Sequence, residues 1–234
     1  MTVGAEEGKR RAAVRAATFV QDGMIVGLGT GSTVRYLLDE ISARIAAGDL
    51  RGIVGVPTSE DTARRARSLG IPVASLADHP EIDLTIDGAD EVDPRLDVVK
   101  GLGGALMREK VVASVSRDLV IIVDESKIVD RLGTRAPLPV EVDPFASPVL
   151  IPFFRRIGAE PLLRCSSSGE PFRTDGGNFI FDCRFELGID DPREMDLMLN
   201  RRPGVLENGL FIDMVGRVVV AGPDEVRVMS RGES

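Results

Sequence analysis

A chain of 234 residues, 43% hydrophobic and 28% charged, is long enough for one full-sized domain or a larger domain carrying a smaller one, and its composition is not that of a disordered protein. A formal charge of −8 without a basic stripe argues against nucleic acid as the main partner, while a small phosphorylated ligand needs only a nest of N–H groups and one or two lysines. The longest apolar runs, such as Leu119–Val123, are too short to cross a bilayer, and one histidine, His79, with two distant cysteines cannot assemble a zinc-type cluster.

The charged segment Met1–Arg15 lacks an apolar signal core, so a cytoplasmic protein is expected, with Cys165 and Cys183 as separate thiols. Apolar positions Ala13, Ala16, Ala17 and Val20 predict a helix over Lys9–Val20, stopped at Asp22-Gly23. Met24–Gly27 reads as a short buried strand. Val34, Leu37, Leu38, Ile41 and Ile45 then share one helical face, with Gly48 as a C-terminal cap. A strand at Ile53–Val56 and a helix at Ser59–Leu69, ended by Gly70, come next. Further strands are expected at Val73–Leu76, Leu84–Ile86, Val98–Val99 and Leu119–Val123, with a helix over Gly104–Ser116. Short apolar strands alternating with amphipathic helices imply an α/β fold, a doubly wound, mostly parallel, Rossmann-like sheet.

Beyond Gly133 the texture changes. Pro137, Pro139, Pro144, Pro148 and Pro152 mark a linker and helix starts. Val149–Ile157 and Glu194–Asn200 look helical, Glu160–Cys165 and Asn178–Phe185 extended, and Asp175-Gly176-Gly177-Asn178 supplies turn chemistry. The order strand, helix, strand, strand, helix, strand suggests a smaller α+β domain of ferredoxin-like type. The tail, Arg217–Val228, reads as two strands around Gly222-Pro223 that return to the larger domain. The expected boundaries are 1–133 plus 211–234 for the larger domain and 134–210 for the smaller.

Three segments carry candidate chemistry. Gly27-Leu28-Gly29-Thr30-Gly31-Ser32-Thr33 joins a buried strand to a strong helix, where Ser32 or Thr33 can cap and the helix start favours an anion; a merely tight turn is the alternative. It has no Gly-Lys-Ser/Thr ending, and Pro57, Thr58 and Ser59 stand where a dinucleotide site wants an acid, so a small phosphate is the remaining ligand. Asp87-Gly88-Ala89-Asp90-Glu91 follows a strand and is either a set of site carboxylates or a solvated acidic turn. Lys100-Gly101-Leu102-Gly103-Gly104 places a cation before a flexible loop, able to meet an oxyanion or simply to lie on the surface. Arg108-Glu109-Lys110 has the look of a solvated helix face, and spacing does not single out Glu109.

Together these segments resemble the signature blocks of the A-type ribose-5-phosphate isomerases, in that family's order and separations. Val123-Asp124-Glu125-Ser126-Lys127, Pro137-Leu138-Pro139-Val140-Glu141-Val142 and Thr174-Asp175-Gly176-Gly177-Asn178 extend the resemblance over nearly the whole chain. One departure is Leu102, which interrupts what is often a run of three glycines. A backbone contact survives that change, whereas a positive φ there would be strained.

The resemblance implies an aldose–ketose isomerase working on ribose 5-phosphate and ribulose 5-phosphate through a cis-enediol, without metal or other cofactor. It implies Glu109 as the base, Asp87 in ring opening, and Lys100 with Asp90 on the oxygens of the first two carbons. Thr30, Gly31, Ser32 and Thr33 would meet the phosphate or its chain, assisted by Lys127 and Lys9. Gly88, Ala89, Gly101, Leu102 and Gly103 would complete the contacts. The family also implies a homodimer or homotetramer. Two rival classes are a sugar-phosphate sensor, which usually carries a DNA-binding helical domain, and a coenzyme A transferase-like enzyme, normally much longer.

Overall fold

The computed structural model describes residues 3–232, with side chains from Glu6 onward; the first two residues of the charged N-terminal segment and the last two of the tail lie outside the described residues. In chain order the elements are α1 (Val3–Ala17), β1 (Ile25–Leu28), α2 (Ser32–Ala47), β2 (Val54–Pro57), α3 (Glu60–Ser68), β3 (Leu84–Gly88), β4 (Glu91–Val92), β5 (Val98–Val99), α4 (Leu106–Ser114) and β6 (Leu119–Asp124). There follow β7 (Leu138–Val142), α5 (Ser147–Arg156), β8 (Glu160–Leu163), β9 (Phe179–Arg184), α6 (Pro192–Asn200), β10 (Val205–Asn208), β11 (Leu210–Phe211), β12 (Arg217–Ala221) and β13 (Val226–Ser230). Contacts divide the chain into a larger unit, Met1–Ala89, Arg108–Lys127 and Met214–Ser234, and a smaller one, Asp90–Met107 and Ile128–Asp213.

The larger unit holds a six-stranded sheet in the order β13-β12-β6-β3-β1-β2, parallel throughout except for β13 against β12. Alternate strand residues serve the two faces. Val26, Leu28, Leu84, Ile86, Val120 and Ile122 pack with Ala13 and Ala16 of α1 and with Val34, Leu37, Leu38 and Ile41 of α2. Ile25 and Val56 meet Ile82 and, from α4, Val112 on the other. Cover on both faces is why the strands read as continuous apolar runs with no polar alternation. Each fully buried Leu or Ile contributes about 1.5–3 kcal/mol. Gly48 caps α2 at φ 80, its N–H on the carbonyls of Arg44 and Ile45, and the Ser59 hydroxyl caps α3 at the Thr62 N–H. The expected strand Val73–Leu76 is reduced to a single bridge, Val73 to Gly55. The Asp78 carboxylate takes the N–H and hydroxyl of Ser75 and turns the chain there.

The smaller unit is a ferredoxin-like β7-α5-β8-β9-α6-β10 arrangement with an antiparallel sheet ordered β10-β7-β9-β8. Leu138, Val140, Val142, Phe181 and Cys183 of the sheet meet Leu150 and Phe154 of α5 and Leu199 of α6. Strand β7 lies inside the proline-rich stretch read from sequence as a linker. Its alternation of Leu138, Val140 and Val142 is masked by Pro139, whose carbonyl accepts the N–H of Gly209 at 2.8 Å. The strand Val98–Val99, expected in the parallel sheet, is β5 of a separate antiparallel sheet ordered β11-β5-β4. The Asp93 carboxylate drives that pairing by accepting the N–H groups of Arg95 and Asp97 and closing the β4–β5 turn. The contact division therefore differs from the expected boundaries: residues 90–107, 128–133 and 211–213 go with the smaller unit. Both cysteines are free thiols, and burial pushes the Cys183 thiol far up. Among the described residues no helix is long and apolar enough to cross a membrane.

Candidate active site

Strand β1 lies between β3 and β2; the chain continues from β1 to β2 on one side and from β3 to β6 on the other, and in open α/β sheets ligands bind beyond the carboxyl ends of strands at such a reversal. Glycine brings the two strand ends together. A Cβ on Gly29 would stand 2.2 Å from the Asp87 carboxyl carbon. In its place the Asp87 carboxylate accepts the N–H of Thr30 at 3.0 Å and of Gly88 at 2.7 Å. The Thr30 hydroxyl lies 2.8 Å from that of Thr58, 2.9 Å from Ser59 Oγ and 3.3 Å from Thr62 Oγ1. Thr62 in turn donates to the Gly29 carbonyl at 2.8 Å. Helix α2 begins at Ser32 after Gly31, at φ 127, with no side-chain cap, so neither Ser32 nor Thr33 is the capping residue foreseen. Ser32 is exposed and Thr33 half-buried at the first positions of the helix.

The acidic run divides into separate roles. Asp87 is 1% exposed and held to the first loop. Asp90 donates its N–H to the Val99 carbonyl at 2.8 Å, and its Oδ2 accepts the Leu102 N–H at 3.0 Å. Glu91 is not a solvated turn residue. It is fully buried and takes the N–H groups of Gly133, Arg135 and Ala136 at 2.5, 2.5 and 2.7 Å, which fixes the chain entering β7. Gly88 and Ala89 are half-buried between them.

Lys100 is 3% exposed, so the surface-lysine alternative falls. Its N–H donates to the Gly209 carbonyl at 2.9 Å, and its ammonium lies 5.4 Å from the centre of the Phe211 ring. Gly101, at φ 108, fits against Leu106 and Pro139, which lie 2.9 and 3.2 Å from where a Cβ would stand. Leu102 is not among the non-glycine residues at positive φ, which are Leu96 and Asp213, so the foreseen strain is absent there; it and Gly103 are exposed, and its N–H donates to Asp90.

Glu109 is also only 3% exposed, although its neighbour Arg108 pairs with Glu60 at 2.8 Å on the wet side of α4. The run Arg108-Glu109-Lys110 is thus not a uniformly solvated face. No local signal in the sequence marks that burial; the family resemblance did. Lys127 closes a 3-10 turn after β6 and is half-buried. Lys9 pairs with Glu6 at 2.9 Å, and the other oxygen of Glu6 accepts the Tyr36 hydroxyl of α2 at 2.5 Å. Tyr36 first, then Lys9, hold the Glu6 carboxyl below the usual carboxylate range.

Within the larger unit, then, the Asp87 carboxylate joins Thr30 and Gly88 at the ends of β1 and β3, Ser32 and Thr33 begin α2, and Glu109, Lys127 and Lys9 lie on other elements of that unit. Within the smaller unit Asp90 is bonded to the loop that follows Lys100. Sequence reasoning missed the hydroxyls of Thr58, Ser59 and Thr62 that hold the first loop, the brace made by Glu91, and Arg164, described below. Among the described residues no three His, Cys, Asp or Glu side chains are grouped as metal ligands.

Residues 54–225 match the family model of ribose 5-phosphate isomerase A (phosphoriboisomerase A). The chain is 51% identical over 218 residues to the ribose-5-phosphate isomerase A of Roseiflexus castenholzii, covering 93% of each. It is 49% identical over 223 residues to that of Gloeobacter violaceus, covering 95% of each. Among solved structures, a D-ribose-5-phosphate isomerase in complex with phospho-erythronic acid is 40% identical with a TM-score of 0.95, covering 99% of this chain and 100% of that one. The ribose 5-phosphate isomerase of Plasmodium falciparum is 39% identical with a TM-score of 0.94, covering 97% of this chain and 99% of that one. Agreement in sequence and fold over nearly the whole length places the chain in the ribose 5-phosphate isomerase A family, and it is an isomerase.

Proposed function

We propose that the chain interconverts ribose 5-phosphate and ribulose 5-phosphate by proton transfer through a cis-enediol. One observation carries the assignment of residues. Asp87, Lys100 and Glu109 are withdrawn from water to 1%, 3% and 3% exposure, although none lies in an apolar run. Sequestering a charged side chain costs free energy unless it is paired or used, so these three buried charges are candidates for working groups.

In the proposed reaction Asp87 moves the proton of the ring hydroxyl and opens the furanose. Glu109 takes the proton from the carbon beside the carbonyl and returns it to the neighbouring carbon. Lys100 faces the oxygen on which negative charge develops, with Asp90 on the adjacent hydroxyl. The amides and hydroxyls of Thr30, Gly31, Ser32 and Thr33 receive the phosphate at the uncapped start of α2, and Lys127 and Lys9 add positive charge. Gly88, Ala89, Gly101, Leu102 and Gly103 contribute backbone contacts to the sugar. The scheme moves protons only, so exhaustive EDTA treatment is expected to leave activity intact. A homodimer or homotetramer is expected in solution, which light scattering measures.

The test is incubation with ribose 5-phosphate while the ketose chromophore is followed, for the parent and for Glu109→Gln. The amide keeps the shape and cannot accept a carbon-bound proton, so turnover should fall by ~10²–10⁴-fold with substrate binding kept. Near-normal turnover in Glu109→Gln would remove Glu109 from its role. Binding without any turnover by the parent chain would favour the sensor class.

A further inference from the structure

Arg164 follows the last residue of β8 and has a side chain only 13% exposed. Its Nε and Nη2 grip both oxygens of Asp182, in β9, at 2.9 and 2.5 Å. That fork fixes the plane of the guanidinium and leaves Nη1 pointing elsewhere. Nη1 donates to the carbonyls of Gly101 and Leu102 at 3.0 and 3.2 Å. The ring of Phe172 lies beside the guanidinium, 5.9 Å from Cζ, and fills the space where Gly104 would carry a Cβ.

One peptide group is consequently held at both ends by charge. Between Gly101 and Leu102, the carbonyl oxygen accepts from Arg164 and the N–H donates to the Asp90 carboxylate at 3.0 Å. Within the loop only the Gly104 N–H, donating to the Gly101 carbonyl at 3.0 Å, favours that orientation, and it is a neutral bond. Gly101 has no side chain and sits at φ 108, and Leu102 is exposed. Turned over, the same peptide would set its carbonyl against Asp90 and its N–H against the guanidinium, two repulsive contacts in place of two charge-assisted bonds. The two bonds also polarise the peptide in the same sense, so each strengthens the other. A half-buried ion pair adds little net stability by itself, because desolvation offsets its attraction. Orientation of this peptide is the effect that the Arg164–Asp182 pair has and a hydrophobic pair of the same volume would lack.

We propose that Arg164 is a positioning residue for the isomerase reaction: through the Gly101–Leu102 peptide it fixes the carboxylate of Asp90. The proposal rests on the substrate role given to Asp90 above.

The test is a double-mutant cycle on ribose 5-phosphate turnover with Arg164→Met, Asp90→Ala and the double variant, alongside thermal melting of each. Arg164→Met is expected to lower kcat roughly ten-fold in the parent and less than about two-fold in the Asp90→Ala background, since coupled residues are not additive. Arg164→Lys keeps a charge for Asp182 but lacks the fork, and should fall between. If Arg164→Met does not fold, the same cycle is run with Arg164→Lys. Equal losses from the Arg164 change in both backgrounds, with Asp90→Ala itself impaired, would overturn the positioning role and leave the role of Asp90 standing. An Asp90→Ala enzyme with unchanged kcat and KM would overturn the role of Asp90, and the positioning role with it.

Discussion

The loop after β1, Gly29–Gly31, and the loop after β5, Gly101–Gly104, are both glycine turns leaving a buried strand, yet they are held by different chemistry. The first is tied by neutral hydroxyls, those of Thr30, Thr58, Ser59 and Thr62, and by the Asp87 carboxylate from the adjacent strand. The second is tied by ions, Arg164 on its carbonyls and Asp90 on its N–H, with Asp182 behind the guanidinium. A hydroxyl cluster pays a small desolvation penalty and survives the loss of one member. An ionic support is stronger bond by bond but unforgiving, because removing one partner leaves the other charge sequestered. The loop proposed to take a phosphate is thus supported mostly by neutral groups, with the Thr30 N–H donating to a carboxylate, that of Asp87. The loop proposed to face developing charge is built from charges fixed in advance, as preorganised stabilisation requires.

The largest effect should come from removing the cation that the second loop carries while leaving its supports alone. Lys100→Met is expected to lower kcat by ~10²–10³-fold, like a lost oxyanion donor, with a modest rise in KM. Methionine keeps the stem over Phe211, so thermal melting should change little. A raised KM with kcat nearly kept would instead make Lys100 a ground-state ligand and erase the difference in task between the loops. Next in size is Gly29→Ala. The added methyl would stand 2.2 Å from the Asp87 carboxyl carbon and 2.6 Å from its Cα, so backbone must move. Overpacking of this kind costs roughly 1–3 kcal/mol, a fall in Tm of about 2–4 °C for each kcal/mol in a chain of this size. Unchanged stability and turnover would show that the two strand ends are not as tightly apposed as the Thr30–Asp87 bond indicates.

How much of this was legible follows the distance over which each feature is decided. The first loop lies between a buried strand and a striped helix, and Gly48 and Gly70 end their helices within a few residues of the pattern they stop; such signals are local and were read correctly. Strand β7 was missed because Pro137 and Pro139 imitate a linker, and its place in the sheet is decided by β9 and β10, dozens of residues away. The strand expected at Val73–Leu76 lost to a Ser75–Asp78 turn whose carboxylate offers the backbone a nearer partner. Glu109 carries no mark of burial in its own neighbourhood, and only the resemblance of whole blocks pointed to it. Arg164 and the Gly101 carbonyl it holds are 63 residues apart, so no spacing rule connects them.

A smaller effect tests the division between the loops in binding. Ser32→Ala with Thr33→Ala removes two hydroxyls from the start of α2 and leaves its amides in place. KM for ribose 5-phosphate should rise by about ten-fold, with kcat reduced less, since phosphate contacts persist from ground state to transition state. An unchanged KM would place the phosphate elsewhere.

The smallest expected effect is the most direct comparison of the two supports. Thr58 is fully buried, and its hydroxyl lies 2.8 Å from that of Thr30. Valine matches threonine in shape, so Thr58→Val deletes one polar contact without opening a cavity. Thr30 keeps Ser59 at 2.9 Å and Thr62 at 3.3 Å, and no charge is left stranded. One lost neutral hydrogen bond costs about 0.5–1.5 kcal/mol, hence a fall in Tm of a few degrees, and KM should stay within about two-fold. Arg164→Met removes an ion from the other loop and leaves Asp182, 18% exposed, without its fork of donors. It should therefore melt lower than Thr58→Val and lose turnover that Thr58→Val keeps. Were the two variants to lose equal Tm and equal kcat, the kind of support would not matter, and both loops would simply be packed turns.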